Sequence, residues 1–176
     1  SSVTGGIGAR YQGEAFGDDY ELPNERAYNE TCASLGSIFW NWRMLNLTGE
    51  AKYAEVIERQ LFNGALSGLS IDGTGYFYMN PLTSAGGYSR TPWFTCACCP
   101  PNIARLMMSL ASYFYSEHDQ ELWIHQYASG SVQASGLSLA VDTDYPWSGD
   151  IRVTVTGNST VEHSILLRVP EWATNS

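Results

Sequence analysis

Hydrophobic residues recur at helical spacing through the first two-thirds of this 176-residue chain. From Tyr28 onward, apolar side chains fall at steps of three and four, which predicts a helix over about residues 30–46. Gly49 follows as a candidate for the left-handed residue that ends a helix. A second apolar face predicts a helix over 50–66, and the short link between the two predicts an antiparallel helical hairpin.

The segments around this hairpin have a different pattern. Residues 1–26 are rich in Gly, Asp and Pro, which predicts a loop that lines a site. A turn at 72–75 precedes an extended aromatic run at 76–81. Two prolines at 100 and 101, which the first turn of a helix tolerates, open an apolar face that predicts a third helix over 101–116.

After about residue 121 the pattern is typical of strands. Residues 151–155 alternate at period two, as a half-buried strand does. Short β-prone runs separated by Gly, Ser and Asn cover 122–127, 131–134, 137–141, 151–156 and 161–169. The spacing favours the start of a β-sandwich, so the predicted fold class is α+β, with helices first and strands last.

Composition narrows the class of function. A 44% hydrophobic content argues against disorder, and a net charge of −9 without a basic stripe excludes a nucleic-acid partner. No apolar run reaches transmembrane length, so no membrane partner is expected. The chain has neither an initiator Met nor a signal peptide, and we interpret it as a fragment of a longer protein whose compartment it does not reveal.

The cysteines are the main chemical signal. Three of the four lie in Cys96-Ala97-Cys98-Cys99, and Cys32 lies two residues after Glu30. Adjacent cysteines rarely form a disulfide with each other. Thiolates with a nearby carboxylate suit Zn²⁺, so the grouping favours a zinc site, with disulfides and packed free thiols as the alternatives.

The backbone around these residues sets geometric conditions. Residues two apart do not face each other on a helix, so Glu30 and Cys32 can share a metal only at or before a helix start, with regular helix beginning after Cys32. Cys98 and Cys99 immediately precede the third predicted helix. We therefore expect its N-terminus to favour thiolate over thiol.

Candidate acids lie in the N-terminal loop. A glycosidase needs one carboxyl group to protonate the leaving oxygen and a second group to attack or to activate water. Glu14, between glycine and an aromatic residue, is a candidate proton donor, although an exposed acid with no such role is the alternative. Asp18, Asp19 and Glu21 follow it. The three histidines show no ligand spacing.

Several motifs taken together resemble the β-L-arabinofuranosidase family of glycoside hydrolases, family 127 and its close relatives. They are Gly-Glu-x-Phe at 13–16, Glu-Thr-Cys at 30–32, the aromatic run from 76 and Cys-x-Cys-Cys-Pro-Pro-Asn at 96–102. The resemblance covers essentially the whole chain. It implies the C-terminal portion of an (α/α)₆ catalytic barrel over 1–118 and the N-terminal portion of a β-sandwich domain over 119–176.

The resemblance also implies residue roles. Zinc would be held by four residues: Glu30, Cys32, Cys98 and Cys99. Cys98 would be the nucleophile and Glu14 the acid/base of a retaining hydrolase. Tyr78 would line the sugar pocket, and Cys96 would support the metal ligands from outside the ligand set. The partner would be a small-molecule sugar or glycan.

Three further expectations concern what this chain does alone. The family's pocket also uses histidines from the first half of the barrel, which this chain lacks, so the sugar site is expected to be incomplete and apolar faces to be left open for self-association. A zinc-stabilised carbohydrate-binding or structural module is the main alternative function. A thiol redox protein that uses Cys96 and Cys98 is the third.

Overall fold

The computed structural model describes residues 1–134, 136–157 and 159–173. The chain forms two compact units, Ser1–Met108 and Ser109–Ser176. The α-helices of the described residues are α1 Thr31–Thr48, α2 Ala51–Gln60 and α3 Cys99–Ser109, and two small sheets follow them. The predicted α+β class is confirmed at this level. Within these ranges no helix is long and apolar enough to cross a membrane.

Helices α1 and α2 form the predicted hairpin. Leu35 and Ile38 of α1 and Ile57 of α2 are almost fully buried. Gly49 ends α1 at φ 70° and donates its N–H to the Leu45 carbonyl at 2.8 Å, which confirms the predicted left-handed cap. Tyr28, the first residue of the apolar pattern, is buried in the extended segment before α1.

The second predicted helix does not keep one geometry to residue 66. A π-helical turn over Leu61–Ala65 and a 3₁₀ turn over Leu66–Gly68 follow α2. A Cβ at Gly64 would lie 2.7 Å from Ser34 Oγ, and one at Gly68 would lie 2.8 Å from Thr31 Oγ1. The glycines let this segment lie directly against the start of α1, which no larger residue allows.

The third predicted helix extended too far. The α-helix ends at Ser109, a 3₁₀ turn covers Leu110–Tyr113, and strand β1 begins at Tyr115. Tyr115 pairs with Ile124 and packs on a core cluster of the second unit. Strand pairing therefore overrides the helical spacing of residues 113–116.

The second unit contains two three-stranded sheets in its described residues. One has the order β1 Tyr115–His118, β2 Glu121–Ile124 and β6 Ser164–Leu167, with β1–β2 antiparallel and β2–β6 parallel. The other is antiparallel and has the order β3 Gly130–Ala134, β4 Leu137–Thr143 and β5 Ile151–Val155. Side chains of both sheets share one core: Leu122, Ile124, Tyr127 and Leu139.

Two loops meet at the start of α1. The N–H groups of Asn29 and Glu30 donate to the carbonyls of Gly8 and Ile7 at 2.9 and 3.2 Å. From the other side, Thr31 N–H donates to the Tyr78 carbonyl at 2.9 Å, and Asn80 Nδ2 donates to the Asn29 carbonyl at 2.9 Å. The N-terminal loop and the aromatic segment are thereby held at one helix end.

The core of the second unit contains a buried histidine that should make the stability of the fold depend on pH. His125 is 6% exposed, and burial and the charge of Arg168 lower its pKa to about 4. Because the unfolded state binds the proton more readily, stability should be full above about pH 6.5 and fall by about 2 to 3 kcal/mol as the pH drops to 4. Urea unfolding between pH 7.5 and 4 measures this. His125→Gln should flatten the curve, and an equal pH dependence in both proteins would contradict the assignment.

Candidate functional site

Four side chains of the first unit converge on one point. Cys98 Sγ lies 3.6 Å from Glu30 Oε1 and 3.8 Å from Cys99 Sγ, and Cys32 Sγ lies 3.6 Å from Cys99 Sγ. One donor atom from each of the four residues lies within 4.8 Å of the others. These are the four residues that the sequence analysis grouped as ligands.

The separations fit a tetrahedral metal site. For metal–sulfur bonds of about 2.3 Å, the sulfur–sulfur edges of a tetrahedron are about 3.8 Å long. The measured sulfur–sulfur distances of 3.6 and 3.8 Å are close to that edge. Three thiols and a carboxyl group at these separations could therefore hold a metal ion.

The backbone brings Glu30 and Cys32 together at the start of α1. Glu30 is the N-cap, with φ −57° and ψ 134°, and its carbonyl already accepts from Ser34 N–H at 3.1 Å. The extended ψ of Glu30 turns its side chain toward the side on which Cys32 lies. The expectation of a shared helix start is confirmed, but regular helix begins at Thr31, one residue before Cys32 and not after it.

Cys98 and Cys99 lie at the start of α3, where the expected thiolate preference is not found for either. Cys99 is already the first helical residue. Burial and the neighbouring Cys32 raise the pKa of Cys98 to about 11, and Cys32 and burial raise the pKa of Cys99. Pro100 and Pro101 lack the N–H groups that a helix start offers to an anion, so the N-terminus stabilises these thiolates little.

The pKa values of the cluster residues are shifted in different directions. Hydrogen bonding to Cys99, and also to Asn102, lowers the pKa of Cys32 to about 7. Burial, and next the negative charge of Glu14, raise the pKa of Glu30. Without a cation the Cys98 and Cys99 thiols therefore keep their protons at neutral pH, and a bound cation would replace them.

Glu14 is held by two phenols. It lies at φ 51° directly after Gly13 at φ 72°, in a tight loop that an Arg10–Ala15 bridge closes. Tyr28 and Tyr78 both donate their hydroxyl to Oε1 of Glu14 at 2.9 Å. Among the described residues, Oε2 accepts no hydrogen bond, so this oxygen remains open to a ligand.

Tyr78 connects Glu14 to the cysteine cluster. Its main-chain carbonyl accepts from the N–H of Thr31, the residue between Glu30 and Cys32 of the cluster, at 2.9 Å. Burial raises the pKa of Tyr78, so the hydroxyl keeps its proton and remains a donor. Phe94 packs edge-on against its ring, with centroids 5.8 Å apart. Tyr78 thus joins the loop of Glu14 to the helix start that carries Glu30 and Cys32.

The remaining candidates lie apart from this group. The side chain of Cys96 is exposed, and its link to the cluster is a carbonyl that accepts from Cys98 N–H at 3.0 Å. Glu21 is paired with Arg10, which holds the pKa of this carboxyl near 2. A carboxyl group so paired is a poor proton donor. A cavity of about 750 Å³ lies beside Arg10, Met79 and Tyr88, and Glu21 is the one candidate acid that lines it.

Two contacts were not anticipated from the sequence. Asn102 Nδ2 donates to Cys32 Sγ at 3.2 Å, and Tyr28 donates to Glu14 across 14 positions of the chain. The sequence does contain a signal for each, since Asn102 ends the cysteine motif and Tyr28 begins the apolar pattern. Neither signal indicates the atom that the side chain contacts.

Comparisons with known proteins give a consistent result. A family model described as β-L-arabinofuranosidase, GH127 catalytic domain, matches residues 1–112, and the GH127 middle domain model matches 121–176. The chain is 39% identical over 191 aligned positions to a non-reducing end β-L-arabinofuranosidase of Bifidobacterium longum subsp. longum. That alignment covers 99% of this chain and 29% of the relative.

Solved structures are similar in both sequence and shape. A structure described as a GH127 β-arabinofuranosidase has a TM-score of 0.91 and 48% identity, over 96% of this chain and 27% of that one. A GH127 β-L-arabinofuranosidase from Geobacillus stearothermophilus T6 has a TM-score of 0.87 and 42% identity, over 97% of this chain and 29% of that one. The chain therefore spans less than a third of the length of these relatives.

Proposed function

Because the chain belongs to glycoside hydrolase family 127, we propose that the protein containing it is a retaining glycoside hydrolase that acts on β-L-arabinofuranosides or related sugars. The observation that carries the proposal is that Tyr78 contacts both parts of the site: its hydroxyl donates to Glu14, and its carbonyl accepts from the helix start that carries Glu30 and Cys32. Cys98 Sγ lies 3.6 Å from Glu30 Oε1 in the same cluster. This arrangement supports a proton donor and a nucleophile that act around one anomeric carbon.

The proposed reaction has two steps. The Cys98 thiolate attacks the anomeric carbon and the bond to the leaving oxygen breaks, while Glu14 gives that oxygen its proton. Glu14, now a carboxylate, then removes a proton from water, and the resulting oxygen displaces the sulfur. The sugar leaves with its original anomeric configuration, and the Cys98 thiolate and the Glu14 carboxyl group are restored.

Zinc is the proposed metal. Three thiolates and one carboxylate in a tetrahedral arrangement are a typical zinc set, with Glu30, Cys32, Cys98 and Cys99 as ligands. When bound, zinc would supply the positive charge that keeps Cys98 a thiolate at neutral pH, against the burial that otherwise raises its pKa. We assign Tyr78 to the sugar pocket, and Cys96 to support of the ligand set through its main chain.

The proposed architecture follows the family. Residues 1–118 would form the C-terminal portion of an (α/α)₆ catalytic barrel, and 119–176 the N-terminal portion of a β-sandwich domain. The antiparallel α1–α2 hairpin and the two small sheets support this assignment.

The alternative is a zinc-stabilised carbohydrate-binding or structural module without catalysis. One observation favours it: the four side chains of the cluster would close the shell of a tetrahedral metal, whereas catalytic zinc usually keeps an open position. Assay of the full-length protein on aryl and natural β-L-arabinofuranosides, with the anomer of the first product read by NMR, separates the two. Hydrolysis with retention supports the enzyme, and sugar binding without turnover supports the module.

Metal content is a first test on the chain itself. Purified without added zinc, it should contain about one zinc ion, and Cys99→Ser should reduce this well below one because a thiolate ligand is lost. Plasma emission analysis measures the ratio. Cys96→Ser should retain zinc, because this side chain lies outside the group of four. Equal zinc content in Cys99→Ser and wild type would place the metal elsewhere.

Self-association of the separate chain is a second prediction. Leu47, Ile71 and Met108 of the first unit are largely exposed, and apolar surface of this kind favours association. Sedimentation velocity over a hundredfold range of concentration should show the average mass rising with concentration. A single monomeric species at every concentration would contradict it.

A further inference from the structure

One side-chain amide donates a hydrogen bond to a single sulfur of the cysteine cluster. Asn102 Nδ2 donates to Cys32 Sγ at 3.2 Å. Within residues 1–134, 136–157 and 159–173, no other amide donates to a cluster sulfur. Cys98 Sγ instead contacts Glu30 Oε1 at 3.6 Å, and Cys99 Sγ contacts the other two sulfurs. One sulfur of three therefore carries an amide donor.

The backbone fixes the position of this donor. Asn102 lies in the first turn of α3, where its own N–H donates to the Cys98 carbonyl at 3.2 Å. Pro100 and Pro101 restrict φ on the preceding residues of the same turn. The amide is therefore held on the helix that carries Cys99, and it reaches across to Cys32, which lies on α1.

Such a bond has two physical effects. It holds the Cys32 sulfur at a fixed place relative to α3, as contacts outside the ligand set do for metal ligands. It also withdraws electron density from that sulfur, because a donor hydrogen polarises the lone pair it meets. Both effects act on Cys32, the cluster sulfur that the amide meets.

We infer that Asn102 is a positioning residue for the metal centre, which holds Cys32 as the anchoring sulfur. The inference rests on the proposed function, since it needs the metal centre in which Cys32 is a ligand. It adds to that function a residue outside the group of four ligands.

The test uses the 176-residue chain loaded with Co²⁺. Asn102→Leu keeps the approximate size of the side chain and removes the donor. We expect its Co²⁺ affinity to fall 10- to 100-fold, and its sulfur-to-cobalt charge-transfer band to move to longer wavelength because the sulfur electrons are less stabilised. The control is Asn46→Leu, at an exposed position of α1 where the amide donates to the Trp42 carbonyl. It should change neither quantity.

Unchanged Co²⁺ affinity and band position in Asn102→Leu would overturn the inference. The wild-type cobalt spectrum would still support the proposed metal centre. A wild-type chain without any cobalt spectrum would overturn both. If Asn102→Leu does not fold, wild-type chain loaded with ¹¹³Cd decides the matter. A scalar coupling between cadmium and an Asn102 Nδ2 proton supports the bond, and its absence overturns it.

Discussion

Cys98→Ser in the full-length protein should lower kcat by about 10³-fold or more on both natural and aryl β-L-arabinofuranosides. A serine hydroxyl is not ionised near neutral pH and is a weak nucleophile, whereas the thiolate is itself the reagent. Steady-state kinetics on the two substrate types measure the loss. Incubation with substrate, followed by mass spectrometry of the denatured protein, should show a glycosylated Cys98 peptide in wild type and none in the variant.

Cys96→Ser is the matched comparison, two residues earlier and on the surface. It should cost far less than Cys98→Ser, because only the Cys96 main chain contacts the cluster. A thiol redox function that uses both cysteines would make the two losses equal. Near-normal turnover by Cys98→Ser, or a product of inverted configuration, would exclude a cysteine nucleophile.

Glu14→Gln should reduce hydrolysis of substrates with poor leaving groups by about 10²- to 10⁴-fold. An activated aryl leaving group needs no proton, so the first step on such substrates should be nearly as fast as in wild type. Pre-steady-state measurement of aryl release should therefore give a burst followed by slow turnover, because the second step still lacks its base. The amide keeps the size of the carboxyl group and retains an oxygen for the Tyr28 and Tyr78 hydroxyls.

Glu21→Gln provides the control for Glu14. Its carboxyl group is already paired with Arg10, so its loss should leave the leaving-group dependence of the reaction unchanged. If Glu14→Gln hydrolysed natural substrates normally, the acid would have to be sought elsewhere. A burst absent from Glu14→Gln with the aryl substrate would indicate that this residue acts before the sugar bond breaks, for example in binding.

The parts of the fold that local pattern determines could be predicted. The α1–α2 hairpin follows from apolar spacing, and its end follows from a glycine that adopts φ 70°. The end of α3 could not be predicted, because residues 113–116 keep helical spacing while Tyr115 pairs with Ile124 of a later strand. The two strands form a short hairpin, and the helical spacing of residues 113–116 does not distinguish this hairpin from a continued helix.

In the candidate site, too, some features could be predicted from the sequence and others could not. The resemblance to a known family implied the four members of the cluster, whereas grouping in the chain alone would not separate Cys96 from Cys98 and Cys99. Which thiol has the lowest pKa could not be predicted, because that depends on the contacts of Cys32 with Cys99 and with an amide from 70 positions away. Tyr28 begins the apolar pattern from which the first helix is predicted. The structure instead places it before α1, as a donor to Glu14.

The meeting of two loops at the start of α1 has a consequence for how the protein folds. Contacts that join Cys32 to Cys99 and Tyr78 to Glu14 span 67 and 64 positions, while the α1–α2 hairpin needs only neighbouring residues. Closure of such long loops is slow relative to formation of local helices. The hairpin should therefore form first, and the site should be assembled late. During synthesis the cluster cannot close until Cys99 has left the ribosome. Helical content should therefore appear before the cysteine cluster is assembled.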